Sequence, residues 1–161
     1  MNLTTNFKKL MLVAFASIAL TACATTKKST GQLQGDVYTG TDTVKYLADG
    51  VPDRVFFATN ESVLTTASRD TLRKQAAWLR KNPDVTVVLE GHCDERGTRE
   101  YNLALGERRA NTVREYFTSM GIDNARLNIV SYGKERPDVE GSYDDAWQKN
   151  RRSVTTLDVD R

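Results

Sequence analysis

Short apolar segments alternate with two longer amphipathic segments from residue 54 to the end of the chain, and this order restricts the possible folds most strongly. The short segments carry β-branched, apolar and aromatic residues, a composition typical of strands. The longer segments carry apolar residues at intervals of three and four, the spacing of a helix with one buried face. The strand-like segments are residues 54–57, 85–89, 127–132 and 153–159. This order predicts an α/β fold of the α+β sandwich type, with two main helices on one face of a small mixed β-sheet.

The first helix is predicted to follow Thr65 or Thr66, because either side chain can accept a hydrogen bond from a free backbone N–H group of the first turn. Pro83 cannot continue a helix, and we expect the helix to end before it. The predicted buried positions of this helix are Leu72, Ala76 and Leu79.

The second helix is predicted to begin after Thr98, with Glu100 in the first turn, where a negative charge complements the helix dipole. Gly121 stands where a left-handed residue commonly ends a helix. We also expect Gly91 to end the preceding strand. The predicted buried positions of the second helix are Leu103, Gly106, Ala110, Val113 and Phe117.

The beginning of the chain has the pattern of a secretory signal. Lys8 and Lys9 precede an apolar segment, Leu10 to Leu20, which is too short to be a permanent membrane span. Leu20-Thr21-Ala22-Cys23 resembles the bacterial lipoprotein signal, in which cleavage precedes a cysteine that is then acylated. We therefore predict a signal segment at residues 1–22, lipidation of Cys23, a flexible tether at 23–50 and a folded domain at 51–161. The alternative is an ordinary secretory signal with a chance cysteine at the cut.

The charge of the chain argues against a nucleic-acid-binding function. Removal of residues 1–22 takes away two lysines and no acid, which leaves 21 basic and 21 acidic residues. A balance of zero without a basic cluster provides no electrostatic attraction for nucleic acid.

Catalysis and metal binding are also disfavoured by the residues available. The only histidine, His92, adjoins Cys93, and neighbouring residues on an extended segment point to opposite sides. Asp94 and Glu95 are neighbours on a loop, and such a pair rarely reaches the separation that glycan cleavage requires. One histidine and one available cysteine give no recognised metal-ligand spacing. We therefore expect a binding protein without enzymatic activity, cofactor or metal, in which His92 and Cys93 have structural roles.

The segment from Gly91 to Gly97 concentrates functional side chains in a loop between a strand and a helix, which is where ligands commonly bind to an α/β sheet. Asn102, Leu105 and Arg109 follow at helical spacing and share one stripe next to this loop. The alternative is that the loop acids are solvated and that Arg109 pairs with an acid on the helix surface.

Several motifs together resemble OmpA-like domains, and more specifically the peptidoglycan-associated lipoproteins. The similarity runs from about residue 53 to the end, and the lipoprotein signal is an independent agreement. The matching segments are 55–60 (VFFATN), 90–98 (EGHCDERGT), 105–111 (LGERRAN), 130–137 (VSYGKERP) and 150–152 (NRR).

The resemblance implies a βαβαββ fold that binds peptidoglycan non-covalently through the diaminopimelate residue of the stem peptides. It implies that Asp94 binds the ammonium group of the ligand and that Arg109 binds a carboxylate. The other positions that match binding residues of the family are Phe57, Thr59, Asn60, Asn102, Leu105 and Arg151. Some family members have an aromatic residue and an aspartate in place of Thr59 and Asn60.

The resemblance also implies a location and partners. Ala24 after Cys23 implies a lipid anchor in the outer membrane, with the domain on the periplasmic side. The family tethers this membrane to the cell wall as part of the Tol system, with roles in envelope integrity and cell division, and binds a periplasmic β-propeller protein. The alternative is an OmpA-like wall-anchoring lipoprotein outside the Tol system that acts mainly through protein–protein contacts.

Overall fold

The computed structural model describes residues 46–158, which form six strands and three α-helices. The predicted signal segment, the lipidation of Cys23 and residues 24–45 of the predicted tether lie outside this range. The strands are β1 Tyr46–Ala48, β2 Val51–Pro52, β3 Arg54–Phe56, β4 Val87–His92, β5 Leu127–Gly133 and β6 Arg152–Leu157. The helices are α1 Thr66–Lys81, α2 Arg99–Ser119 and α3 Asp144–Asn150, and a 3₁₀ turn, Asn124–Arg126, precedes β5.

The main sheet has four strands in the order β3-β6-β4-β5. Strand β6 pairs antiparallel with both β3 and β4, whereas β4 and β5 are parallel and are connected through α2. The predicted mixed sheet is therefore confirmed. Its central strand β6 comes from the end of the chain, and the loops after β3 and β4 lie on either side of the start of β6.

Helices α1 and α2 pack on one face of the sheet, as predicted. Val87 and Leu89, two residues apart on β4, belong to the same hydrophobic core as residues of both helices. Side chains at this spacing point to the same side of a strand, so both helices cover that side. The buried core residues that the helices contribute are Leu72, Ala76, Leu79, Ala110, Val113 and Phe117. Among residues 46–158, no helix has the length and apolar character needed to cross a membrane.

The predicted helix boundaries are confirmed by their capping contacts. Thr65 accepts a hydrogen bond from the backbone N–H of Ser68 at 3.1 Å, and Thr98 accepts one from that of Tyr101 at 3.2 Å. Helix α1 ends at Lys81, two residues before Pro83. Gly121 has φ +82°, the left-handed conformation expected after the end of α2.

Two expectations about the second half of the sequence are corrected by the structure. Gly91 does not end its strand, because β4 continues through it to His92. The glycine is required by packing, since a Cβ atom at this position would lie 1.9 Å from the carbonyl oxygen of Gly106 in α2. Leu103 is only half-buried, and the buried face of α2 instead includes the predicted binding residues Asn102, Leu105 and Arg109.

A short hairpin was missed by the sequence analysis. Strands β1 and β2 pair antiparallel through a turn in which Gly50 has φ +69°. The hairpin therefore includes residues 46–50, which we had assigned to the flexible tether. Strand β6 ends at Leu157, and Val159, which we had placed in the last strand, lies outside the described residues.

Candidate functional site

A cavity of about 160 Å³ opens beside the ends of β3 and β4 and the beginning of α2. It brings together seven of the eight residues that the sequence analysis proposed for binding. Phe57, the eighth, is fully buried next to the cavity, with its ring 5.2 Å from the guanidinium carbon of Arg109. The residues that line the cavity are Thr59, Asn60, Cys93, Asp94, Arg96, Gly97, Tyr101, Asn102, Leu105, Arg109 and Arg151.

Arg109 extends from α2 into the molecule and is 0% exposed. Its Nε, Nη1 and Nη2 atoms donate to the backbone carbonyls of Glu61, His92 and Ala58 at 2.8, 2.7 and 3.1 Å. The guanidinium group therefore fixes the loop after β3 to the end of β4. Burial lowers the pKa of Arg109 to about 10, so the group remains charged at neutral pH. Within residues 46–158, no carboxylate forms a salt bridge with it.

Asp94 is buried at the start of the loop after β4 and accepts hydrogen bonds from two arginines. Its Oδ1 accepts from the backbone N–H and the Nε of Arg96, both at 3.2 Å. Its Oδ2 accepts from Nη2 of Arg96 at 2.6 Å and from Nη1 of Arg151 at 3.5 Å. Burial raises the pKa of Asp94, but the hydrogen bonds from Arg96 and the positive charges outweigh this effect and hold it below its ordinary value. The carboxylate is therefore ionised at neutral pH.

Arg151 connects Asp94 to Phe57, the residue that follows β3. It is buried immediately before β6, and its Nε donates to the carbonyl of Phe57 at 3.1 Å. The backbone N–H of Phe57 in turn donates to the carbonyl of Arg151 at 2.9 Å. These contacts hold the guanidinium group in place beside Asp94.

Arg96 and Tyr101 line the cavity, although neither was among the proposed binding residues. Arg96 places its guanidinium carbon 4.4 Å from the centre of the Trp147 ring, and its Nη2 lies 3.4 Å from Oγ1 of Thr59. The hydroxyl of Tyr101 donates to the side-chain oxygen of Asn60, which has the left-handed φ of +59°. Arg96 belongs to the motif that pointed to the site, whereas the contact between Tyr101 and Asn60 spans 41 residues and has no local sequence signal.

Asn102 and Leu105 differ in what they contribute. The side-chain amide of Asn102 donates to the carbonyls of Arg96 and Thr98 at 2.8 and 3.1 Å, so it shapes the loop that carries Asp94. Leu105 is buried and provides an apolar part of the cavity wall.

Cys93 and His92 are both buried, and Cys93 also lines the cavity. The Cys93 thiol lies 3.3 Å from the carbonyl of Asn102, and burial raises the pKa of this thiol above its ordinary value. The imidazole of His92 does not line the cavity. It is buried beside the ring of Tyr132, with its Nε2 3.2 Å from the carboxylate of Glu90.

The chemistry of the cavity suits recognition of a charged ligand. One carboxylate and three guanidinium groups line it, so a ligand with both charges and an excess of negative charge complements it. The thiol is protonated at neutral pH and has no imidazole partner, which is unfavourable for nucleophilic catalysis. Among the described residues, no group of three or more His, Cys, Asp or Glu side chains is placed to hold a metal ion.

Comparison with known proteins gives the same family in sequence and in structure. The OmpA family matches residues 56–151. The peptidoglycan-associated lipoprotein of Brucella melitensis is 40% identical over 151 residues, which cover 91% of this chain and 89% of the relative. That of Haemophilus influenzae is 38% identical over 152 residues, which cover 92% of this chain and 96% of the relative.

Solved structures support the assignment of the fold. The crystal structure of the peptidoglycan-associated lipoprotein from Burkholderia pseudomallei has a TM-score of 0.64 and is 34% identical, covering 65% of this chain and 89% of that one. The C-terminal domain of Helicobacter pylori MotB has a TM-score of 0.62 at 18% identity, covering 66% of this chain and 84% of that one. The second likeness concerns the fold alone.

Proposed function

The chain belongs to the OmpA family and, within it, to the peptidoglycan-associated lipoproteins, and we propose that its cavity binds the diaminopimelate residue of cell-wall stem peptides. The observation that carries this proposal is the presence of Asp94 and Arg109 in one cavity. Diaminopimelate presents an ammonium group and a carboxylate at the end of its side chain. An acid and a guanidinium group held in one small cavity match these two charges.

Arg109 is the proposed partner of the ligand carboxylate. Backbone carbonyls use three of its five N–H donors, so the group keeps donor capacity for a ligand. A buried guanidinium group without a counter-carboxylate is costly, and a ligand carboxylate compensates part of that cost. Because the three carbonyls already fix the orientation of the planar group, little side-chain freedom is lost on binding.

Asp94 is the proposed partner of the ligand ammonium group, and Leu105 is the proposed contact for the methylene chain between the two charges. Thr59 and Asn60 also line the cavity, on the loop that Arg109 holds in place. In this proposal their roles come from the loop backbone as well as from their polar side chains.

The proposal extends to the location of the domain. We propose that residues 1–22 are removed and that the acylated Cys23 anchors the protein in the outer membrane. The domain would then bind the cell wall on the periplasmic side. A fully extended segment from Cys23 to Lys45 would span at most roughly 70–80 Å, at ~3.3–3.6 Å per residue. We further propose a role in the Tol system, with its periplasmic β-propeller protein as a partner, and no enzymatic activity.

Co-sedimentation with isolated sacculi tests the proposal. Asp94→Asn keeps the shape of the side chain and removes its charge, so the ligand ammonium loses its partner in a partly desolvated site. Losing one side of such a pair costs ~2–5 kcal/mol, or roughly 30-fold to several-thousand-fold in affinity. The matched control is Asp84→Asn at an exposed position outside the cavity, which should bind like the wild type.

Two results would contradict the proposal. The first is folded Asp94→Asn protein that pellets with sacculi at wild-type affinity, which would remove Asp94 from the binding site. The second is the release of muropeptides from sacculi incubated with the wild-type protein, which would indicate catalysis instead of binding alone.

A further inference from the structure

Asp94 has no acceptor position left for a ligand. A carboxylate offers about four lone-pair directions. The backbone N–H and the Nε of Arg96 use Oδ1, and the Nη2 of Arg96 and the Nη1 of Arg151 use Oδ2. An ammonium group that binds to Asp94 must therefore displace one of these donors.

The side chain of Arg96 is the donor that can leave. The side chain of Arg151 is 4% exposed and is held by the carbonyl of Phe57. The side chain of Arg96 is 42% exposed, so it can move into solvent without disturbing the core. The contact between Nη2 of Arg96 and Oδ2 of Asp94 is 2.6 Å long, so departure of Arg96 leaves a position for a cation at this carboxylate oxygen.

Trp147 provides a second support for Arg96. The guanidinium carbon lies 4.4 Å from the ring centroid, and the indole N–H donates to the carboxylate of Glu95 at 3.1 Å. The side chain of Arg96 is therefore held between Asp94 and an aromatic surface contributed by α3. Trp147 itself does not line the cavity.

We infer that Arg96 occupies the position on Asp94 that the ligand ammonium group takes, and that binding exchanges this guanidinium group for the ammonium group of the ligand. This inference rests on the proposed function, since it concerns the same cavity and the same ligand. The exchange keeps the charge on Asp94 compensated in both states. It also makes Arg96 a determinant of affinity and specificity, because a ligand without a strong cation cannot displace it.

Removal of Arg96 should therefore strengthen binding. In Arg96→Ala the ligand no longer has to break an ion pair and a cation–π contact. Each of these is modest in a partly exposed setting, and together they correspond to an increase in affinity of about 3- to 30-fold. The measurement is isothermal titration calorimetry with the synthetic peptide L-Ala-γ-D-Glu-meso-diaminopimelate.

Arg99→Ala is the matched control. It removes the same charge three residues further along, at a side chain that is 62% exposed, bridges to Glu135 and does not line the cavity. Arg96→Ala should bind the peptide more tightly than Arg99→Ala. If the peptide binds Arg96→Ala no more tightly than it binds Arg99→Ala, the inference is wrong. Arg96 would then be a ligand contact or a support for Asp94.

Fluorescence gives an independent readout of the exchange. In a Trp78→Phe or Trp78→Tyr background, Trp147 is the single tryptophan. Its emission should change when the peptide saturates the site, because Arg96 leaves the ring, and this change should be absent in Arg96→Ala. Unchanged emission at saturation with Arg96 present would show that the guanidinium group stays in place.

Failure of the proposed function has a different signature. Wild-type protein that does not bind the peptide at all would refute the proposed function and this inference together. If the wild type binds the peptide and Arg96→Ala shows no gain in affinity, only the exchange is refuted.

Discussion

Arg109 should stabilise the domain as well as bind its ligand, and the unfolding of Arg109→Ala tests the first of these roles. The substitution leaves three buried or partly buried carbonyls, those of Ala58, Glu61 and His92, without their charged donor. Hydrogen bonds to charged groups contribute ~1.5–3 kcal/mol each. The variant regains the desolvation cost of the guanidinium group, which is several kcal/mol. We therefore expect a net loss of about 2–5 kcal/mol in the free energy of unfolding.

Urea unfolding followed by circular dichroism measures this loss. With an m-value of ~2 kcal/mol/M, the midpoint should fall by roughly 1–2.5 M while the m-value stays constant. The midpoint of Arg109→Lys should lie between those of the wild type and Arg109→Ala, because a compact ammonium group keeps the charge but not the planar arrangement of donors. Arg114→Ala is the control on the same helix. Its side chain contacts Asn111 within the helix, and its loss should change stability by less than ~0.5 kcal/mol.

A wild-type midpoint for Arg109→Ala would refute this reasoning. It would mean that the three carbonyls find other partners at no cost and that Arg109 does not hold the loop after β3. Any effect of the substitution on binding would then have to come from direct contact with the ligand alone.

Three further predictions concern other buried positions. Burial holds the pKa of His92, the single histidine, below 6.5, so the unfolded state binds more protons in mild acid. The free energy of unfolding should then fall as the pH is lowered from 7 to 5, by at most ~1.4 kcal/mol per pH unit. The fall should be less steep in His92→Gln, and a rise in the free energy of unfolding of the wild type over this range would contradict the prediction. Gly91→Ala should lower the free energy of unfolding by more than ~3 kcal/mol, because the new Cβ meets the carbonyl of Gly106. Gly121→Ala, in open space at φ +82°, should lower it by only ~1–2 kcal/mol. Equal urea midpoints for the two variants would argue against the close contact at Gly91. Cys93→Ala should lose ~1 kcal/mol and bind sacculi normally, and loss of binding in the folded variant would give the thiol a functional role.

The helices and their ends were predictable because their signals are local. Thr65 and Thr98 cap the helices through contacts three residues away, and Gly121 adopts the left-handed conformation expected after a helix. The apolar spacing identified the buried face of α1 at Leu72, Ala76 and Leu79, although Ser68 and Gln75 are buried in this helix as well. In α2 the same rule failed at Leu103, because Asn102 and Arg109 are also buried and rotate the buried face toward the cavity.

Features that depend on distant residues were not predictable in this way. Gly91 has the sequence signal of a strand end, yet its role is to admit the backbone of Gly106, fifteen residues along the chain. The position of β6 between β3 and β4 depends on pairing across most of the domain. The hairpin of β1 and β2 is too short to show a periodic pattern.

The candidate site shows the same division. The motif around Asp94 and the stripe that contains Arg109 identified the cavity because both lie in one continuous part of the sequence. The contact of Arg96 with Trp147 joins residues 51 positions apart, and no sequence pattern indicates that Arg96 covers Asp94. Local sequence therefore locates the site, whereas the contacts that cover Asp94 require the structure.

The most direct test of the central claim compares two peptides that differ only in the group proposed to bind Arg109. Calorimetry on the wild-type domain would use L-Ala-γ-D-Glu-meso-diaminopimelate and the same peptide with L-Lys, which keeps the ammonium group and lacks the side-chain carboxylate. We expect the lysine peptide to bind at least roughly 30-fold more weakly, because Arg109 remains buried without its counter-charge. Equal affinity for the two peptides would contradict recognition of diaminopimelate by this cavity.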